Sequence, residues 1–205
     1  MILPGIRCIF LDIGRVLVDI EIGLFGKRMM ELAAVQPEQL RAAVMNEGLA
    51  TAFETGRISE VEFHKEVCRR LGKEIAQTDF YEAWNSIFLP EPILSSDLVS
   101  SLAKKADLWA LSNTNSVHHD FLAGHYDLFR FFTGQILSYK IGFQKPDDRI
   151  FRRALDQAGV NATDALFVDD QQSNVEGARG VGIDAFQFVT RSHFVEEMHA
   201  RHLID

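Results

Sequence analysis

The sequence predicts an α/β protein: a doubly wound, mainly parallel five-stranded sheet with a helical subdomain inserted after its first strand. Three observations predict it. From Ile93 onward, short apolar runs alternate with helical patterns, and such alternation implies parallel strands joined by right-handed helical crossovers. One further apolar run, Cys8-Ile9-Phe10-Leu11, stands alone near the N-terminus and stops at Asp12-Ile13-Gly14. Between the two lies a stretch of helical periodicity from about residue 20 to residue 89. Residues 1–19 and 90–205 are therefore expected to form the α/β core, and residues 20–89 a helical unit of their own.

Taken in order, Cys8 to Leu11 are bulky and apolar without alternation, as in a strand buried on both faces. In the helical stretch, Phe63, Val67 and Leu71 recur four residues apart, with Glu60, Glu66, Arg69 and Arg70 on other faces, which makes an amphipathic helix. Ser59 to Glu62 reads as a capping box, Asp79 to Glu82 as an Asp version of it, and Pro37 suits the first turn of another helix. Phe25, Phe53, Trp84 and Phe88 read as packing inside this unit. Pro90 and Pro92 punctuate the return to the main body. A helix over 94–104 then leads to the strand Leu108–Leu111 and to Ser112-Asn113-Thr114-Asn115 ahead of another helix. A strand over 135–139 precedes Lys145-Pro146-Asp147-Asp148 and a helix over 150–158. The strand Ala165–Val168 ends on Asp169-Asp170, Ser173 to Glu176 announces the next helix, and a fifth strand is expected over 185–189.

With 205 residues and 47% hydrophobic content, the chain can bury one sizeable core. No apolar segment reaches the roughly 18 residues that span a bilayer, and Met1 to Arg7 lacks the layout of a signal peptide, so a cytoplasmic protein is expected. A net charge of -8 with scattered basic residues argues against nucleic-acid or anionic-membrane partners, and a monomer is the default expectation. Cys8 and Cys68 sit where small apolar side chains would serve, and no disulfide is expected between them.

In a parallel sheet all strands end on one edge, so Asp12, Ser112, Asp169 and Asp170 converge on one crevice, within reach of Lys145 on its long stem. A carboxylate there can attack phosphorus, paired acids offer the hard oxygen ligands that Mg²⁺ prefers, and a lysine and a helix N-terminus neutralise a phosphate. Asp12-x-Gly14, Leu111-Ser112-Asn113, Lys145-Pro146-Asp147 and Val168-Asp169-Asp170 together resemble, in order, the four motifs of the haloacid dehalogenase superfamily, chiefly its phosphatases. Residues 20–89 resemble the helical cap that its members carry. The resemblance implies a Rossmann-like core and a Mg²⁺-dependent phosphatase acting on a small phosphorylated metabolite, such as a sugar phosphate. It implies Asp12 as the nucleophile that forms an aspartyl-phosphate, with Ser112, Asn113 and Lys145 binding the phosphoryl group. Asp12, the Gly14 carbonyl, Asp169 and Asp170 are then the metal ligands.

One position departs from the pattern. Most phosphatases of this superfamily carry a second Asp, the general acid and base, where this chain has Gly14. Some sugar-phosphate phosphatases resemble it there; 2-haloacid dehalogenases also lack the acid; and a phosphometabolite-binding protein with a degraded site would lack it too. The Asp169-Asp170 pair favours the first over the second, because the dehalogenases use no metal and resemble Ser-Ser-Asn at that point. Without a strong acid, good leaving groups such as sugar 1-phosphates are expected to be preferred. His118 and His119 are candidate substitutes for the acid, or residues of a helix surface. Arg15 either reaches toward substrate or pairs with Glu21 or another acid. The turn Glu54-Thr55-Gly56-Arg57 either faces the crevice or only connects helices, and hinges are expected near 19–23 and 89–92.

Overall fold

The computed structural model describes residues 5–204; residues 1–4, within the N-terminal segment read above for a leader, and residue 205 lie outside it. The described chain begins with β1 (Cys8–Leu11) and β2 (Val18–Ile20), followed by helices α1 (Gly23–Ala33), α2 (Pro37–Met45), α3 (Leu49–Glu54), α4 (Glu60–Leu71) and α5 (Gln77–Asn85). It continues through β3 (Phe88–Pro92), α6 (Ser96–Ala103), β4 (Asp107–Ser112), α7 (Ser116–His125), β5 (Gly134–Leu137) and the short α8 (Ser138–Ile141). The remainder is α9 (Asp148–Ala158), β6 (Ala165–Asp169), α10 (Gln172–Gly180), β7 (Asp184–Gln187) and α11 (Arg191–Ala200).

The main sheet has the order β5-β4-β1-β6-β7 and every pairing in it is parallel. Winding runs from β1 out to β5 and then returns to the other side of β1, so the strand order reverses beside β1 and opens a crevice at its carboxyl end. β1 is buried on both faces, as its unbroken apolar run predicts. Ile9 and Leu11 pack with Leu94, Val99, Leu102 and Phe194, while Cys8 and Phe10 pack with Phe151, Phe167 and Val175. Each fully buried side chain of this size contributes about 1.5–3 kcal/mol. Cys8 and Cys68 are both free thiols, and burial pushes the Cys8 thiol up to about 12.

Helices α1–α5 enclose a second apolar cluster in which Phe53 stacks on Phe63 at 4.5 Å and Phe25, Phe80 and Trp84 close the ring. Phe88 departs from the sequence reading: it belongs to the main core, against His118 and Phe121, while Val117 of α7 joins the second cluster. β2 and β3 pair antiparallel as a small ribbon where proline punctuation was expected. Pro90 and Pro92 fit there because an edge strand leaves donors outside the ladder. Two helix starts also move. α5 begins at Gln77 after Ala76 and α10 at Gln172 after Gln171, so Asp79 and Ser173 lie inside the first turns rather than at the caps. The Ser59–Glu62 capping box and Pro37 at the first helical position are present.

The turn after α3 is wedged against α8. Gly56 has φ +66° and a Cβ there would lie 2.1 Å from the Tyr139 carbonyl oxygen. Gly56→Ala is therefore expected to destabilise the fold by more than about 1 kcal/mol, lowering Tm by at least 2–4 °C or so in a thermal melt. An unchanged Tm would mean that this contact is not held in solution.

Candidate active site

The carboxyl end of β1 delivers Asp12 into a cavity of about 340 Å³. The cavity is lined by Gly14, Arg15, Ser112, Asn113, Lys145 and Asp170 among others, so all four motifs contribute to its wall. Asp169, wholly buried, stands directly behind.

Lys145 organises the centre. Its ammonium donates to Asp12 Oδ1 at 2.8 Å, to Asp169 Oδ2 at 2.6 Å and to the Leu111 carbonyl at 2.8 Å, with the side chain 1% exposed. All three of its protons are thereby used, so a phosphate here would meet its charge and not a further hydrogen bond. Burial opposes that charge, but the two carboxylates outweigh it and hold Lys145 above the usual lysine range. For Asp12 burial pushes the carboxyl up, while Lys145 and the Ile13 backbone N–H at 2.8 Å favour the ionised form. Asn113 lines the cavity too. Its side chain donates to the Lys145 carbonyl at 3.0 Å and accepts from the Lys145 N–H at 2.8 Å, so it clamps the lysine's backbone.

Asp169 is saturated on one side, since its Oδ1 accepts from Gln171 N–H at 2.8 Å and Asn174 Nδ2 at 2.9 Å. Asp170 lines the cavity, half-buried, and Arg15 stands 3.8 Å from it with a side chain 54% exposed. Arg15 thus pairs with another acid than Glu21. Burial and the neighbouring Asp169 push the Asp170 carboxyl up. Oxygen atoms of Asp12, Asp169 and Asp170 lie within 4.8 Å of one another. Three carboxylates against one buried ammonium leave an excess of negative charge, and an all-oxygen donor set of this kind fits a hard divalent cation.

At Gly14 the missing side chain is replaced by a neighbour: a Cβ would lie 2.5 Å from the Ile20 Cδ1 atom. Neither histidine fills the role of the absent acid. His118 lines the cavity, but its Nδ1 accepts from Asn115 Nδ2 at 3.1 Å and its Nε2 donates to the Trp84 carbonyl at 3.1 Å. Burial pulls His118 down to about 4, so it is neutral at pH 7 with both nitrogens occupied. His119 faces Gln135 and Tyr139 instead and does not line the cavity. The residue that sequence reasoning left undecided is Glu54, which enters the cavity wall from the end of α3. The only signal was its place in a glycine turn, because the side chain's neighbours come from 90 residues further along the chain.

The family model for haloacid dehalogenase-like hydrolases matches residues 6–182. A D-ribitol-5-phosphate phosphatase from Bacteroides thetaiotaomicron is 27% identical over 188 residues, covering 89% of this chain and 91% of that protein. Two solved structures share the fold. One is a haloacid dehalogenase family enzyme from Bacteroides thetaiotaomicron in complex with magnesium and inorganic phosphate, with TM-score 0.84, 24% identity and coverage of 93% and 99%. The other is described as a predicted hydrolase of this kind from Porphyromonas gingivalis, with TM-score 0.82, 29% identity and coverage of 98% of both chains. With the motif order, the parallel sheet and a matched span of nearly the whole chain in agreement, the protein belongs to the haloacid dehalogenase-like hydrolase family.

Proposed function

We propose that the protein is a magnesium-dependent phosphatase that hydrolyses a small phosphorylated metabolite through an aspartyl-phosphate on Asp12. The observation that carries this reading is the cluster of Asp12, Asp169 and Asp170 at the end of the cavity, with one buried ammonium among three acids. A dehalogenase using the same Asp12 has no need for two further carboxylates, which burial makes costly without a cation. Asp12, Asp170 and the Gly14 carbonyl would hold the ion directly, while Asp169, already accepting three hydrogen bonds, fixes Lys145 behind it. When bound, Mg²⁺ neutralises phosphate charge that would otherwise repel the nucleophile. Asp12 attacks phosphorus in line, Ser112 lies beside the phosphoryl group, and Lys145 keeps Asp12 ionised and aimed.

Residues 20–89 act as a cap over this centre. Ile20, Ile22, Ile87 and Phe88 line the cavity together with Leu122, so the carbon skeleton of the substrate meets a largely apolar wall. The relative that hydrolyses D-ribitol 5-phosphate supports the phosphomonoester class.

The test is phosphate release from p-nitrophenyl phosphate and from a panel of sugar, polyol and prenyl phosphates, with Mg²⁺ and with excess EDTA. Release with Mg²⁺ that falls to background in EDTA is expected, and the panel ranks the skeletons. No phosphate with any divalent metal would sink the reading: halide release from 2-haloacids would then identify a dehalogenase, and metal-dependent binding without turnover a phosphometabolite-binding protein.

A further inference from the structure

We propose that Glu54 is the general acid and base of this site, supplying from the helical insert the proton transfer that Gly14 does not. The inference rests on the phosphatase reading above. Glu54 lines the same cavity as Asp12 and Gly14. Asp12 and Asp170, the other acids lining that cavity among the described residues, face cations, Lys145 at 2.8 Å and Arg15 at 3.8 Å. Glu54 has instead a neutral partner, accepting from Gln144 Nε2 at 2.7 Å on Oε2. A neutral partner does not favour the ionised carboxyl, as the cations beside the other two do.

Its placement is held from the main body. Ser138 Oγ donates to the Glu54 carbonyl at 2.6 Å and accepts from the Thr114 N–H at 2.9 Å, so the turn is tied to the loop after β4. Gly56 permits the close approach to Tyr139 that completes this seat. The alternatives near the cavity are closed, because Ile20 occupies the space beside Gly14 and both His118 nitrogens are engaged.

Several charged groups on and around the elements packed against α3 are engaged elsewhere. Arg57 donates to Thr55, Arg70 pairs with Glu47 and Glu66, Glu60 accepts from Ser116, and Lys140 lies over the Tyr139 ring. Burial, partly offset by the Gln144 hydrogen bond, pushes the Glu54 carboxyl up, which favours its protonated form.

Asp12 Oδ forms a bond to phosphorus while the bond from phosphorus to the ester oxygen breaks, and the Glu54 proton passes to that oxygen to give the alcohol. Water then attacks phosphorus, its proton passes to Glu54, and the bond between phosphorus and Asp12 breaks to release inorganic phosphate. With a proton delivered to the leaving oxygen, primary-alkyl esters are cleaved as well, and the preference for sugar 1-phosphates expected from Gly14 alone falls away.

Glu54→Gln tests this, since the amide keeps the shape of the side chain. For a primary-alkyl phosphate such as a polyol phosphate, kcat/KM is expected to fall about 10²- to 10⁴-fold and its alkaline limb in the pH profile to disappear. For p-nitrophenyl phosphate, whose leaving group needs no proton, kcat/KM is expected to fall less than about tenfold, with a burst of nitrophenolate as the water step slows. Glu54→Asp should recover part of the alkyl rate. Equal losses on both esters, or an unchanged alkaline limb, would reduce Glu54 to a positioning residue and overturn the proposal. A wild type that releases phosphate from neither ester would instead remove the phosphatase reading and this proposal with it.

Discussion

Asp12→Asn is expected to lower phosphate release by about 10⁴-fold or more while leaving the fold in place. The amide is nearly isosteric and keeps an oxygen to accept from the Ile13 N–H and from Lys145, which Asp12 Oδ1 now meets at 2.8 Å each. It lacks the charge and the nucleophilic lone pair, so no aspartyl-phosphate can form at residue 12. The measurement is p-nitrophenyl phosphate turnover at saturating Mg²⁺ beside a thermal melt. A variant with a normal Tm that retains more than about a hundredth of the wild-type rate would show that another group attacks phosphorus.

Lys145→Met has the largest expected effect on stability. Removing one partner from a buried ion cluster leaves Asp12 and Asp169 desolvated with no cation between them, where Lys145 Nζ now stands 2.8 and 2.6 Å away. Such a loss typically costs about 3–5 kcal/mol. For a chain of this size that lowers Tm on the order of 10 °C in EDTA. Mg²⁺ should narrow the gap, because an ion among the carboxylates does part of the neutralising. The pH response has a definite sign. In wild type the folded-state Lys145 lies above its ordinary value, so its contribution is present at neutral pH and is lost only as pH rises through the shifted lysine value. In the variant the cation that offsets the burial of Asp12 is gone, so the Asp12 carboxyl rises further, the native state binds a proton that the unfolded chain releases, and stability increases as pH falls from 7 toward 4. A Tm unchanged by metal, pH and the substitution would contradict the ion cluster.

Much of the site was legible because a parallel sheet converts sequence order into spatial convergence. A residue one step past an apolar run must sit on the carboxyl edge, and Asp12, Ser112, Asp169 and Asp170 all do. Local signals sufficed where local physics decides, as in the Ser59 cap and Pro37 at the start of α2. They misled at Asp79 and Ser173, because polar and acidic side chains are equally at home inside a helix's first turn. The β2–β3 ribbon was hidden by Pro90 and Pro92, which look like breakers until an edge strand accommodates them.

What the sequence by itself determined is the strand-end part of the site: the acids Asp12, Asp169 and Asp170, the lysine within their reach, and the sheet edge on which they meet. Only the tertiary structure decided what each side chain does there. Asn113 turned to hold the Lys145 backbone, His118 spent both nitrogens on Asn115 and Trp84, Ile20 moved into the space beside Gly14, and Glu54 arrived through Gln144 and Ser138. Each of these depends on contacts between residues distant in the chain or on the rotamer a loop imposes. Hydrophobic periodicity carries no information about either, since it reports which face of an element is buried and not which polar atom satisfies which.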